Sequence, residues 1–225
     1  MSPMDPADRF ASLINGPAAR ADLGLLVALI GAAFDRRSDV DDVAKELDEL
    51  GSRYDPTFDA VMAGLFGSGL LRGSTLDYGD PRNSFLHEVL QRRIGLPITL
   101  SIIAIEVGAR AGVPIVGVGL PGHFVVADVE SGRFADPFYG GQIYRRDEVG
   151  EAWKQITASR APLEPAMLRP TPPRSIVLRV LNNLRASLEQ RNDLARLPIL
   201  ARLRGAFPEL RRESPDHARW LSTWN

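Results

Sequence analysis

The sequence predicts an α+β fold, with a central helix packed on a small antiparallel sheet, helices before it and a helical hairpin after it. Three observations carry this. The first third repeats apolar residues at helical spacing. One helix near residue 100 is apolar on two faces. Directly after it the period changes from helical to alternating, in strand-like runs separated by tight turns.

The elements follow in order. Leu23, Leu26, Val27, Ile30 and Phe34 recur at helix spacing, with Asp22 as a cap candidate. Val40, Val43, Leu47 and Leu50 form a second helix opened by Asp39, with Asp41 and Asp42 in the first turn, where carboxylates meet the positive helix end. A third runs from Phe58 to Leu65 after Asp55-Pro56. Residues 67–82 are rich in glycine and turn residues but lack phosphate-loop spacing, so they read as an ordered loop. A helix from about Asn83 to Arg93 has Asn83 as its expected N-cap and Gly95 as its stop.

The helix from Ile98 to Ala111 is the central one. Ile98, Ile102, Ile105 and Ala109 form an apolar stripe. Ser101, Ala104, Gly108 and Ala111 form a second stripe of small residues that admits a close neighbour. Thr99 is its natural N-cap, and Glu106 with Arg110 forms an i,i+4 pair read as structural. Residues 115–120 and 123–129 are strands split by Pro121-Gly122, and Arg133 to Asp136 is another. Helix resumes after Asp147, and prolines at 162–173 connect to an amphipathic helix bearing Ile176, Val180, Leu184 and Leu188. Leu194 to Arg204 completes a hairpin, with Trp220 and Trp224 in the tail. Three regions result: 1–66, N-terminal helices packed on the core; 67–160, the core; and 161–225, the helical hairpin and tail.

Composition narrows the functions. The 225 residues contain no cysteine, which removes disulfides, thiolate metal sites and thiol nucleophiles together. The formal net charge of −1 provides no global field for nucleic acid or an anionic membrane. The opening residues lack a signal-peptide pattern, and no apolar run approaches the roughly 20 residues that span a bilayer. The expectation is a cytoplasmic protein without nucleic-acid or membrane partners, of unassigned oligomeric state.

Only three histidines are present. His87, inside a helix, and His217, in a charged tail, read as packing or surface residues. His123 opens a strand directly after Pro-Gly, and Asp136 lies on the next strand. Cross-strand neighbours place a carboxylate where it orients an imidazole, the general-base half of a triad. The hydroxyls available to complete it are Thr99 and Ser101, and Ser101 equally suits the small stripe. Three readings remain open at this point: a Ser101-His123-Asp136 triad, a purely structural His–Asp bond, and a ligand site. No two histidines have metal-ligand spacing, and no metal or cofactor is expected.

The strings DPRNSFLHEVLQRRIGLPITLS (80–101), GARAGVPIVGVGLPGHFVV (108–126), ADPFYGG (135–141) and VLRVLNNL (177–184) resemble the SirB-type branch of the transglutaminase-like superfamily. The resemblance covers nearly the whole chain. It implies a papain-like core over 67–160, with His123 and Asp136 at the superfamily's catalytic histidine and aspartate. Counting back from Gly112-Val113-Pro114, which resembles the Gly-Ile-Pro ending the superfamily's cysteine-bearing helix, places the cysteine near Pro97 or Ile98, neither of which attacks a carbonyl. The resemblance thus implies a protein without the thiol nucleophile, and the first expectation is a non-catalytic protein that binds a protein partner, a peptide or a small ligand in the degenerate cleft. Asn83, Pro97, Thr99, Gly122, Phe138 and Gly140 are the expected cleft residues, rimmed by the 67–82 loop. Two alternatives stand beside it. One is a serine-type hydrolase or acyltransferase using Ser101. The other is a scaffold that meets protein partners through the 176–204 hairpin.

Overall fold

The structure, a computed structural model, describes residues 4–16 and 22–212; His217, Trp220 and Trp224 lie outside the described residues. Four helices lead the chain: α1 (Pro6–Ile14), α2 (Leu23–Phe34), α3 (Val40–Gly51) and α4 (Phe58–Met62), the last continued by a π-helical turn at Ala63–Gly67. Asp39 caps α3 through the Asp41 N–H, as its position predicts. Asp22 precedes α2 but its side chain makes no cap bond. Glu106 supplies that acceptor instead, 2.9 Å from the Gly24 N–H. Its other oxygen holds Arg110 at 2.7 Å. The Glu106–Arg110 pair is therefore structural, and it also ties α2 to the central helix.

The short strands β1 (Arg72–Gly73) and β2 (Ile94–Gly95) pair in parallel on either side of α5 (Leu86–Arg92). Here two expectations are corrected. Phe85 occupies the N-cap position of α5, while Asn83 sits in a 3₁₀ turn, Pro81–Ser84, opened by Asp80. The helix stops at Arg93, which takes the left-handed conformation with φ 59, so Gly95 is not its stop. Gly95 is needed for closeness instead: a Cβ there would lie 2.8 Å from Val89.

The central helix α6 (Pro97–Arg110) begins with proline at N1. The small stripe has its expected use at Gly108, where a Cβ would lie 2.5 Å from Ile115 on the first strand of the main sheet. That sheet is an antiparallel meander in the order β3 (Ile115–Leu120), β4 (His123–Asp128), β5 (Phe134–Asp136) and β6 (Gln142–Tyr144). Alternation along β4 divides its residues between two apolar clusters. Phe124 and Val126 join the main core with α6, whereas Val125 and Ala127 face a smaller cluster with Trp153 of α7 (Val149–Thr157).

The chain closes with α8 (Pro173–Gln190) and α9 (Leu197–Arg204). The second hairpin helix thus begins at Leu197 rather than Leu194. The main cluster contains Leu26 and Leu47 from the N-terminal helices, Ile102 and Val107 from α6, and Leu184 and Leu203 from the hairpin. No helix among the described residues is long and apolar enough to cross a membrane.

Candidate functional site: a cleft at His123

The 3₁₀ turn and α6 are bolted together before the site is reached. The Thr99 hydroxyl accepts the Leu96 N–H at 2.9 Å and faces Asn83 O at 2.8 Å. Thr99 is therefore at N3, reaching back to Leu96 at the N-cap position, not itself the cap. Asn83 Nδ2 donates to Ser74 Oγ at 3.0 Å and to Asp77 O at 2.8 Å. Both side chains are wholly buried. They hold the 74–78 loop and the α6 N-terminus in place without lining the cleft, which corrects their expected role.

His123 starts β4 after Gly122, which adopts φ +69, a conformation that favours glycine. Trp153 Nε1 fixes the preceding turn by donating to Pro121 O at 2.9 Å. The β4–β5 register pairs Val126 with Ala135, which sets His123 and Asp136 as diagonal neighbours on one face. His123 Nε2 lies 2.6 Å from Asp136 Oδ2. Asp136 Oδ1 accepts the N–H groups of Phe138 and Tyr139 at 3.0 and 3.3 Å. A single carboxylate thus orients the imidazole and folds two aromatic rings around it, with centroids 6.3 Å (Phe138) and 5.9 Å (Tyr139) from the His123 ring. Gly73 makes room for Phe138, since a Cβ there would lie 2.6 Å from the ring.

Two cavities meet at His123. One, of about 190 Å³, is lined by Leu96, Pro97, Ile98, His123, Phe124 and Arg179, among others. The other, of about 490 Å³, is bounded by Ser74, Thr75, Tyr78, Phe138, Tyr139 and Ile156. Pro97 and Gly122 border both, as His123 does. Among the expected cleft residues, Pro97, Gly122 and Phe138 therefore line it. Gly140 does not; it adopts φ +71 in the turn that follows.

Ser101 is brought to the core instead of the cleft. It is wholly buried on α6 and its hydroxyl has no hydrogen-bond partner. A serine nucleophile needs a base within hydrogen-bond reach, so the Ser101-His123 link of the expected triad is not formed. The small-residue stripe explains the position: Ser101 is packed, one turn past the helix end that faces the histidine. The group at that end is Pro97, which has neither a nucleophile nor an N–H to donate.

Sequence reasoning missed Arg179. From α8, 56 residues after His123, its Nη2 donates to Leu120 O at 3.0 Å and His123 O at 2.8 Å. Burial pulls its guanidinium down to about 10, still cationic at neutral pH. The available signal was the pattern IVGVGL. Gly117 and Gly119 fall on the same face of β3, and a Cβ at Gly119 would lie 3.0 Å from Arg179 Nη1. His87, by contrast, packs: it stacks on Phe85 at 5.9 Å, and both ring nitrogens lack partners. Among the described residues no three histidine, cysteine or acidic side chains cluster to hold a metal ion.

The sequence finds counterparts among known proteins. The sequence model of the transglutaminase-like superfamily matches residues 35–182. The chain belongs to that superfamily. Its match takes in α6, the whole sheet and most of α8. A UPF0162 protein of Xylella fastidiosa (strain Temecula1) is 39% identical over 153 residues, 66% of this chain and 54% of that protein. A UPF0162 protein of Pseudomonas aeruginosa is 32% identical over 63% of this chain and 55% of its own length. The chain therefore spans about half the length of these curated relatives. The mouse F-box only protein 21 is 35% identical over 68 residues, 30% of this chain and 11% of that protein. No solved structure matches the chain. Within the superfamily this chain is an α+β member that contains no cysteine anywhere.

Proposed function

We propose that this transglutaminase-like chain is a non-catalytic, SirB-type protein that binds a peptide or protein segment in the cleft at His123. One observation carries the reading. The helix end facing the oriented imidazole presents Pro97, while the nearest candidate hydroxyl, Ser101, is buried without a partner. A base without a nucleophile does not perform acyl transfer by the superfamily's covalent route. The cleft retains features of a binding site: an aromatic wall at Tyr78, Phe138 and Tyr139, and a histidine held in one orientation.

The hairpin-scaffold reading has less support. Leu184, Leu188, Leu200 and Leu203 are buried inside the molecule, so the hairpin's apolar face is already occupied. A peptide array probed with the wild type, Ser101→Ala and His123→Ala tests the proposal. Binding kept in Ser101→Ala and lost in a folded His123→Ala supports it. Spots retained by His123→Ala would move recognition away from the cleft. Turnover of an ester substrate that disappears in Ser101→Ala would replace the reading with a hydrolase.

A further inference from the structure

Arg179 stands in the smaller cavity without a carboxylate partner among the described residues. Its Nη2 is used by the carbonyls of Leu120 and His123, and the Phe124 ring lies 5.4 Å from its guanidinium carbon. Its Nε and Nη1 make no hydrogen bond to the described residues. A guanidinium is always charged near neutral pH, and its N–H groups that carry no partner seek an anionic acceptor such as a carboxylate. Two backbone carbonyls and a ring face position the guanidinium but do not neutralise it.

The same face of α8 continues the pattern. Arg179, Asn183, Ser187 and Gln190 follow at spacings of four, four and three along the helix, and all four line the cavity. The side chains of Asn183, Ser187 and Gln190 also lack hydrogen bonds to the described residues. The rest of the lining includes Leu96, Ile98 and Phe124, which are apolar. Nε2 of His123 is occupied by Asp136, and its Nδ1 makes no hydrogen bond to the described residues. The lining therefore holds a single fixed cation beside unspent polar groups, and no acidic side chain that competes for it.

We propose that this cavity receives a carboxylate. An unspent N–H of Arg179, on Nε or Nη1, donates to it, and Asn183 and Ser187 complete its hydrogen bonds. The inference rests on the binding reading above and names the chemistry of what binds. A single cation suits a monoanion better than a doubly charged phosphate. The volume of about 190 Å³ leaves room for a carboxylate and the group that carries it. The rest of the ligand crosses His123 into the larger, aromatic-walled cavity, because the two share Tyr78, Pro97, Gly122 and His123. A peptide offers this carboxylate at its C-terminus or on an acidic side chain.

Three acetylated tripeptides distinguish the sources, with binding read by calorimetry and NMR. Acetyl-Ala-Phe-Ala with a free C-terminus offers the terminal carboxylate. Amidated acetyl-Ala-Glu-Ala offers only the side-chain group, and amidated acetyl-Ala-Phe-Ala offers neither. At least one carboxylate peptide should bind about tenfold or more tightly than the neutral one, as a charge-assisted bond requires. Arg179→Gln should abolish that preference. Because Arg179 also braces the β3–β4 turn, Asn183→Ala and Ser187→Ala serve as milder variants, each expected to weaken the carboxylate peptide selectively. Equal binding of all three peptides would overturn the carboxylate site while leaving cleft binding intact. So would a preference that persists in folded Arg179→Gln. Binding of none at millimolar concentration would also overturn it, and the peptide array would then decide the broader reading alone.

Discussion

His123 Nε2 lies 2.6 Å from Asp136 Oδ2, and both side chains are almost completely removed from solvent. The carboxylate serves three donors at once, since its other oxygen accepts the N–H groups of Phe138 and Tyr139. In Asp136→Asn the charge is lost and an amide N–H₂ replaces one acceptor. The expected cost is about 1–3 kcal/mol in chemical denaturation, the range for hydrogen bonds to a charged group. The Phe138 and Tyr139 NMR signals should shift together with those of His123.

Ser101 leads to the opposite expectation. A buried hydroxyl without a partner has lost its water and gained nothing in return. Ser101→Ala should leave stability unchanged or raise it by about 1 kcal/mol, as read by the denaturation midpoint. A loss of more than that would reveal a hydrogen bond that the hydroxyl makes.

The superfamily resemblance places the thiol near Pro97 or Ile98, and of the two Pro97 borders both cavities at His123. Because the chain has no other cysteine, Pro97→Cys creates a single reporter. A thiol at the N-terminus of α6, bordering the same cavities as His123, should have a lowered pKa. Alkylation by iodoacetamide near pH 6 should proceed about tenfold faster than for free cysteine, and His123→Ala should slow it. An ordinary thiol rate would show that the helix end and the histidine do not act on one point.

How much of this was legible in the sequence depended on distance along the chain. His123 and Asp136 lie 13 residues apart on strands joined by a tight turn, so a local pattern brings them together. The small-residue stripe likewise announces the approach of α6 to β3. Arg179 was not legible on its own helix, where it has the spacing of a solvated face; the signal lay at the other end of the contact, in Gly117 and Gly119. Only the fold brings it against Gly119 and the cavity. Asn83 and Thr99 look like caps because caps are the common use of such residues. Here their hydrogen bonds run instead between the 74–78 loop, the 3₁₀ turn and the opening of α6.

His87 sets a pH dependence away from the cleft. Burial holds its pKa below the ordinary 6.5. The unfolded chain therefore binds the proton more readily, and stability present above about pH 6.5 is lost as the pH falls through that value toward the folded pKa. His87→Gln should flatten the midpoint-versus-pH curve just below about pH 6.5, while the slope at lower pH, set by carboxylates such as Asp59 and Glu209, should persist. An unchanged curve would mean that His87 ionises freely in the folded protein.

The central claim is that the oriented His123 has no nucleophile to activate. Incubation of the intact protein with a fluorophosphonate probe, read by whole-protein mass spectrometry, tests it most directly. The wild type should show no stoichiometric adduct and should match Ser101→Ala and His123→Ala. One adduct per chain, absent from both variants, would contradict the claim and establish Ser101 as a working nucleophile.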